Sequence, residues 1–136
     1  MKAMQSLNAT AASADLPVKT LELCHLRASQ INGCSVCADM HGKGAKKHGE
    51  TDERLFTVAA WRDTPYFSEP ERAALELTEH MTRMADKDDP VPDRVWDEAA
   101  RHYNERQLAA LVVQISAINV WNRFNVSIRQ ICGAVW

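Results

Sequence analysis

Apolar side chains recur every three or four residues along most of the chain, which is the spacing of one face of an α-helix. The clearest run lies near the C-terminus, where a helix is predicted from Glu105 to about Gln130. Its apolar residues cover more than one face, as is typical of a central helix or one at a subunit interface: Leu108, Leu111, Val112, Ile115, Ile118, Phe124 and Ile128. No stretch shows the sustained alternation of β-branched and polar residues that indicates a strand. The pattern therefore predicts an all-α fold with six or seven helices.

Glycine, proline and capping residues divide the N-terminal half into four predicted helices. A weakly amphipathic helix covers residues 2–13, and a second runs from Pro17 to about Ile31. Asn32-Gly33 breaks the chain there, and a third helix begins at Cys34, with Asn32 as its N-cap, and ends near Lys47 or Gly49. The fourth runs from its cap Thr51 to Trp61, with Leu55, Val58 and Ala59 facing inwards.

The C-terminal half contains the remaining helices. Ser68 and Glu71 have the spacing of a capping box and begin a helix that stops before Asp88. The apolar or small residues along it are Leu75, Thr78, Met81 and Met84. Another helix runs from Pro92 to about Tyr103 and precedes the long one. Since no linker separates these segments, we predict a single-domain helical bundle over residues 1–136.

The composition is that of a globular protein and limits its partners. The 136 residues are 46% hydrophobic and 25% charged, and a chain of this length can bury a core without disulfide staples. The formal net charge is −2 and there is no basic stripe, which argues against binding to nucleic acid. No apolar run approaches the roughly 20 residues that cross a bilayer, and the N-terminus lacks the apolar segment of a secretory signal. We therefore expect a cytoplasmic protein that binds neither nucleic acid nor membrane.

Two of the four cysteines, Cys34 and Cys37, are three residues apart at a predicted helix start, and His41 follows four residues later. Thiol chemistry needs a thiolate, which a helix N-terminus favours and which a histidine one turn away helps to form by taking the proton. Side chains three apart in a helix have Cβ atoms about 5–6 Å apart, whereas a relaxed disulfide needs about 3.8 Å. Closing the bridge is therefore expected to distort the first turn, as suits a labile, redox-active dithiol.

Two other interpretations of these residues stay open. The cysteines can be small residues that pack a helix start, or Cys34, Cys37 and His41 can bind zinc with Cys24 as fourth ligand. Either would make the protein a non-catalytic helical assembly. A thioredoxin-type domain is disfavoured, because its Cys-x-x-Cys motif follows a strand and no strand is predicted here.

The motif and two further stretches resemble a known superfamily. The pattern Glu22-x4-Arg27-x-Ser29-x2-Asn32-x-Cys34-x2-Cys37-x3-His41 resembles the signature of the carboxymuconolactone decarboxylase-like superfamily, in the branch related to alkyl hydroperoxide reductase D. The stretches Trp61 to Ser68 and Ile118 to Arg123 resemble the short peroxidase-related members. The resemblance covers most of the chain.

The resemblance implies an all-helical homo-oligomer, a trimer or a hexamer, that reduces hydroperoxides with a dithiol and is regenerated by an external thiol reductant. By position, Cys37 would be the peroxidatic cysteine and Cys34 the resolving one, with His41 and Glu22 as the proton relay. The scheme requires no metal or organic cofactor. A disulfide reductase or a redox sensor would need the same activated pair, so the sequence does not separate these functions.

The sequence departs from the pattern of the alkyl hydroperoxide reductase D proteins at Val36, where they carry a histidine directly before the second cysteine. Part of their proton relay is therefore missing. Lactone decarboxylation is not expected, because the founding decarboxylases lack the cysteine pair.

The remaining polar and thiol residues are expected to have structural roles. His25, one turn after Glu22, is expected to be packed, exposed or next to the relay. Cys24 and Cys132 are expected to pack as small apolar residues. Arg27 and Ser29 are expected to position the turn around Asn32. The amides of Asn119, Asn122 and Asn125 lie on an apolar helix and should form hydrogen bonds between helices or subunits.

Overall fold

The computed structural model describes residues 2–12 and 14–134, in which it contains seven α-helices, one 3-10 helix and no strand. The α-helices are α1 (Lys2–Ala12), α2 (Val18–Asn32), α3 (Ser35–Lys47), α4 (Asp52–Thr57), α5 (Glu69–Thr82), α6 (Asp93–His102) and α7 (Glu105–Ser127), and the 3-10 helix covers Val58–Asp63. The predicted all-α class and helix count are confirmed. Position 13, the end of the first predicted helix, lies outside the described residues.

Helix α2 lies at the centre of the fold, where it packs against α3, α5 and α7. The largest apolar cluster joins α2, α5, α6 and α7 and includes Leu77, Val95, Leu111 and Ile115. A separate, smaller apolar cluster lies where α3 begins and consists of Ala28, Cys34, Cys37 and Ile118. The cysteine pair is thus held between α2 and α7 in an apolar cluster of its own.

Another apolar cluster includes Val58 and Trp61 of the 3-10 helix. The predicted α-helix from Thr51 to Trp61 is wrong in this segment. Thr51 caps α4 as expected, but the α-helix ends at Thr57 and the chain tightens into a 3-10 helix whose residue Ala60 is non-helical. The tighter turn changes the residues that face the core, so Val58 and Trp61 are buried while Ala59 is exposed. The indole N–H of Trp61 donates to the buried carboxylate of Glu79 on α5.

The other helix ends follow local rules. Ser68 and Glu71 form the predicted capping box of α5, and Asn104 and Gln107 form a second one at α7. Gly33 ends α2 with a φ of 69°, a left-handed conformation that glycine adopts without strain. These caps fix where α2 and α7, the two helices that flank the cysteine pair, begin or end.

The last helix is central along most of its length, as predicted, but its C-terminal end is not covered by this chain. Leu108, Leu111 and Ile115 are buried, whereas Phe124 and Ile128 are 53% and 69% exposed. Met84, expected on α5, is also exposed and lies beyond the end of that helix. No helix among the described residues has the length and apolar character needed to span a membrane.

Candidate functional site

Cys34 and Cys37 form a disulfide bond at the start of α3, with their Cα atoms 5.4 Å apart. Cys34 is the N-cap residue, with an extended backbone, and its sulfur accepts a hydrogen bond from the backbone N–H of Cys37. The bridge therefore joins a residue before the helix to one in its first turn, and α3 remains regular. The predicted start of the third helix at Cys34 is therefore one residue early, because Cys34 is the N-cap and only Cys37 of the pair belongs to the helix.

Asn32, the predicted N-cap of α3, has a different role. Its side-chain Nδ2 donates to the amide oxygens of Asn119 and Asn122 on α7, both at 2.9 Å. Asn122 in turn donates to the hydroxyl of Ser29, and the backbone N–H of Cys34 donates to the carbonyl oxygen of Ser29. This buried network confirms the expected interhelical hydrogen bonds of Asn119 and Asn122, and it fixes the corner that carries Cys34 against α7.

The two sulfurs face different surroundings. Both cysteines are buried, with exposures of 2% and 1%, but only Cys37 lines the adjacent cavity of about 390 Å³. The side-chain Nδ2 of Asn125 donates a hydrogen bond of 3.2 Å to the Cys37 sulfur. Asn125 therefore contacts the site directly, a role that its position on an apolar helix did not reveal.

The cavity lies between α2, α3 and α7, with Asn8 of α1 at one side. Much of its wall is apolar and comes from Val36, Met40, Ile118 and Trp121. Val36, which stands where the related reductases carry a histidine, is thus part of this apolar wall. The polar groups of the cavity include His25 and His41, so reactive groups and an apolar surface face the same space.

Glu22 and His41 form a pair across α2 and α3. The distance from Nδ1 of His41 to Oε2 of Glu22 is 2.7 Å, and both side chains are mostly buried. A carboxylate oxygen only accepts, so Nδ1 is the donor of this pair and Nε2 is the ring nitrogen that the pair does not use. The structure thus brings the predicted relay residues together, and His41 lies one turn after Cys37 on α3.

Gly44 leaves room for this pairing, although no sequence pattern points to it. A Cβ atom at position 44 would lie 2.8 Å from Oε1 and 3.0 Å from Oε2 of Glu22, and the shorter distance is one that real Cβ contacts do not show. The carboxylate therefore rests against the bare backbone of α3, one turn after His41. By contrast, a Cβ atom at Gly42 would have no neighbour within 4 Å.

His25 lies beside the Glu22–His41 pair. Its ring centroid is 4.7 Å from that of His41, with the planes tilted by 58°. Burial lowers the pKa of His25 to about 3, the neighbouring His41 adds to the decrease, and a hydrogen bond with the side chain of Gln114 opposes it. The Nε2 atom of His25 is buried and forms no hydrogen bond with the described residues. Glu22, His25 and His41 each offer a donor atom within 4.8 Å of the others, a set of residue types that can hold a metal ion.

The other cysteines do not join the pair. Cys24 lies in the largest apolar cluster, where burial raises the pKa of its thiol to about 12 while a hydrogen bond with Thr78 opposes the shift. It packs as a small apolar residue, as predicted, and does not act as the fourth ligand of a Cys34–Cys37–His41 zinc site. Cys132 is exposed, so the expectation that it packs inside is wrong. Its backbone N–H donates to the hydroxyl of Ser35.

Arg27 also lies elsewhere than expected. Its Nε donates to Oε1 of the buried Glu79 at 2.7 Å, and Arg62 donates to the other carboxylate oxygen. Arg27 therefore links α2 to α5 and the 3-10 helix, and it also donates to the side chain of Gln30 at 3.4 Å. Ser29 accepts from the backbone N–H of Cys34, next to the turn at Asn32.

Comparisons with known proteins agree with this architecture. Residues 1–80 match the family model described as the carboxymuconolactone decarboxylase family. The uncharacterized protein YdfG of Bacillus subtilis (strain 168) is 39% identical over 127 residues, which cover 93% of this chain and 85% of YdfG.

Solved structures share the fold. A protein of unknown function from Agrobacterium tumefaciens, which has been suggested to be an antioxidant defence protein of the AhpD type, superposes with a TM-score of 0.90 and 32% identity. The match covers 98% of this chain and 90% of that one. A variant of the debrominase Bmp8, in complex with 2,3,4-tribromopyrrole, gives a TM-score of 0.81 and 20% identity, over 96% of this chain and 70% of Bmp8. The family match, the relative and the shared fold together show that the chain belongs to the carboxymuconolactone decarboxylase family and is AhpD-like.

Proposed function

We propose that this protein is a thiol-dependent peroxidase that reduces organic hydroperoxides with the Cys34–Cys37 dithiol. The observation that carries the proposal is the asymmetry of the pair: Cys37 lines the cavity beside His41, whereas Cys34 does not. A substrate in the cavity can therefore reach the Cys37 sulfur, while the Cys34 sulfur lies within bonding distance of the Cys37 sulfur. This is the arrangement that a peroxidatic and a resolving cysteine require.

The first step is attack by the Cys37 thiolate. Nε2 of His41 takes the thiol proton, Glu22 holds the ring in the required tautomer, and Asn125 donates to the sulfur. The sulfur attacks the terminal oxygen of the hydroperoxide and gives it two electrons, and the O–O bond breaks. The leaving alkoxide takes the proton from His41 and departs as an alcohol, so Cys37 becomes a sulfenic acid.

The second step closes the bridge that the structure contains. The Cys34 sulfur attacks the Cys37 sulfur, the S–S bond forms, and the hydroxyl of the sulfenic acid leaves with one proton as water. Two equivalents of an external thiol then reduce the disulfide and become oxidised themselves. Because Cys34 precedes α3, only one of the two sulfurs in this cycle belongs to a helical residue.

Burial of both sulfurs favours a small oxidant. A protein disulfide would have to approach sulfurs whose residues are 1–2% exposed, whereas a small molecule can enter the cavity. Val36 and Trp121 give the cavity an apolar wall, which suits the organic group of an alkyl or aryl hydroperoxide. With Val36 in place of the histidine of related reductases, the alkoxide has His41 as its proton donor in this scheme.

The family supports the redox role without fixing the substrate. The Agrobacterium relative has been suggested to act in antioxidant defence, while the debrominase Bmp8 shows that this fold also hosts another activity. We further propose that the protein is a cytoplasmic homo-oligomer. The exposed apolar side chains at the end of α7 and just after it support self-association: Phe124, Ile128 and Ile131.

The proposal is tested by the consumption of cumene hydroperoxide with dithiothreitol as reductant. Wild type should turn over and Cys37→Ser should lose turnover, whereas Cys34→Ser should still allow one stoichiometric oxidation of Cys37. Cys132→Ser is the matched control, because this thiol is exposed and lies outside the disulfide, and it should retain activity. Equal activity of wild type and Cys37→Ser would refute the proposal. Reduction of a protein disulfide without hydroperoxide consumption would instead assign the dithiol to a disulfide reductase.

A further inference from the structure

We propose that Glu22, His25 and His41 form a binding site for a divalent transition-metal ion of the zinc class, beside Cys37 in the cavity. All three side chains lie on the facing helices α2 and α3. Two imidazoles and one carboxylate are a common ligand set for zinc and leave further positions for water or another ligand. The structure adds three observations that point to an ion at this place.

The first observation is the spacing of the donor atoms, one from each residue, which all lie within 4.8 Å of one another. Ligands on a tetrahedral zinc, each 2.0–2.1 Å from the metal, are about 3.3–3.5 Å apart. His41 and Glu22 are already joined at 2.7 Å, and an ion that replaces their shared hydrogen needs an opening of about 0.6 Å. The ion would displace that hydrogen as a released proton.

The second observation is the arrangement of the two rings. Two imidazoles that bind one zinc ion have centroids about 4.5–5.2 Å apart for ligand angles of about 90–110°. The rings of His25 and His41 are 4.7 Å apart and tilted by 58°, so they converge without being stacked face to face. Their separation already matches two ligands of one ion.

The third observation is the Nε2 atom of His25, which is buried and has no hydrogen-bond partner among the described residues. A buried polar atom without a partner costs free energy unless something binds it. His25 lines the same cavity as His41, so an ion held there would satisfy this nitrogen.

Metal binding would also control the proposed peroxidase, and this part of the inference rests on the proposed function. The ion would occupy the ring of His41 and the carboxylate of Glu22, the two groups that move the proton of Cys37. The metal-bound protein would therefore be slow to form the Cys37 sulfenic acid. Zinc would act as a reversible inhibitor at the relay.

Zinc titration by isothermal calorimetry tests the site, with the disulfide intact and in a Cys132→Ser background, which removes the exposed thiol. We expect one zinc ion per chain and at least a tenfold weaker affinity in His25→Gln and in Glu22→Gln. His102→Gln is the matched control, because His102 forms a similar pair with Glu98 at the surface, 3.0 Å apart. Its affinity should equal that of the background protein.

Several outcomes would overturn the site: absence of saturable 1:1 binding, unchanged affinity in His25→Gln, or an equal loss in His102→Gln. Circular dichroism of each variant shows whether it folds, and two independent ligand variants guard against failure of one.

In a single-turnover arm, protein reduced with a phosphine and desalted is mixed with cumene hydroperoxide, with or without zinc. Zinc should slow Cys37 oxidation at least tenfold, and an unchanged rate with zinc bound would refute the inhibition. If zinc binds as expected but no hydroperoxide reacts even without it, the metal site stands and the peroxidase proposal fails.

Discussion

Replacing Gly44 with alanine should disable the proton relay without touching a cysteine, a histidine or a glutamate. The added Cβ atom would lie 2.8–3.0 Å from the Glu22 carboxylate, whereas ordinary van der Waals contacts begin at 3.4 Å. The carboxylate must therefore shift by roughly half an ångström, and a shift of this size away from His41 would lengthen the 2.7 Å bond to about 3.2 Å, the limit of a good hydrogen bond.

The size of the effect follows from that bond. A hydrogen bond to a charged group contributes about 1.5–3 kcal/mol, and each 1.36 kcal/mol in the barrier is about tenfold in rate. If the bond holds His41 ready to take the Cys37 proton, its loss should slow Cys37 oxidation by roughly ten- to a hundredfold. The assay mixes reduced protein with cumene hydroperoxide and follows the loss of the Cys37 thiol by quenched-flow mass spectrometry.

Gly42→Ala is the matched control, since its Cβ atom meets nothing within 4 Å on the same helix. Both substitutions improve helix propensity, and Gly42→Ala should raise the free energy of unfolding by about 0.5–1 kcal/mol with an unchanged oxidation rate. A Gly44→Ala rate within twofold of the Gly42→Ala rate would refute the idea that the Glu22–His41 contact activates Cys37.

Three further substitutions test the surroundings of the site. Asn125→Ala removes the donor to the Cys37 sulfur and should slow iodoacetamide alkylation of the reduced Cys37 about tenfold or more at neutral pH. The reason is that a hydrogen bond to a thiolate contributes about 1.5–3 kcal/mol. An unchanged alkylation rate would exclude this role for Asn125. Asn122→Ala leaves Ser29 and Asn32 without their shared partner and should lower the free energy of unfolding in urea by about 2–4 kcal/mol, and a loss below about 0.5 kcal/mol would contradict it. Burial alone would raise the pKa of Glu79, but hydrogen bonds from Arg62 and Arg27 outweigh it and hold that pKa below its ordinary value. The stability that this lowered pKa gives is present above the ordinary pKa and is lost as the pH falls through the lowered pKa. Glu79→Gln should therefore lower the free energy of unfolding by about 3–5 kcal/mol at pH 7 and flatten the acid limb of a profile of urea midpoint against pH. Parallel profiles for wild type and variant would contradict this account.

Local rules were sufficient where neighbouring residues decide the structure. The capping box at Ser68 and Glu71 and the break at Gly33 follow from short-range hydrogen bonds and backbone conformation, and the structure has both. The spacing of Cys34, Cys37 and His41 likewise predicted a cysteine pair at a helix start with a histidine one turn later, and the structure has this arrangement.

Two of the predictions that failed depend on partners far along the chain. Asn32 is a good N-cap by residue type, but its side chain donates to Asn119 and Asn122 of α7, 87 and 90 residues away. Cys34 is the N-cap of α3 instead. The prediction for Arg27 misses its main partner for the same reason, because Glu79 is 52 residues away. No local pattern records such contacts.

Much of the site could be found only once the helices were packed. Glu22 was singled out by the family resemblance, since a glutamate within a helix is by itself an ordinary residue. Gly44 carries no sequence signal at all, because its role is the space it leaves on α3 for a side chain of α2. The tightening of the chain after Thr57 similarly reflects how Trp61 reaches Glu79, which periodicity alone does not show.

The most direct test of the account is to trap the sulfenic acid after one equivalent of cumene hydroperoxide. Reduced Cys34→Ser and Cys37→Ser are treated with dimedone during the reaction, and the adduct is located by peptide mass spectrometry. Because Cys37 lines the cavity and Cys34 does not, Cys34→Ser should accumulate close to one adduct per chain at Cys37. Cys37→Ser should form none at Cys34. An adduct at Cys34, or equal absence of adduct in both variants, would contradict the assignment of Cys37 as the attacking sulfur.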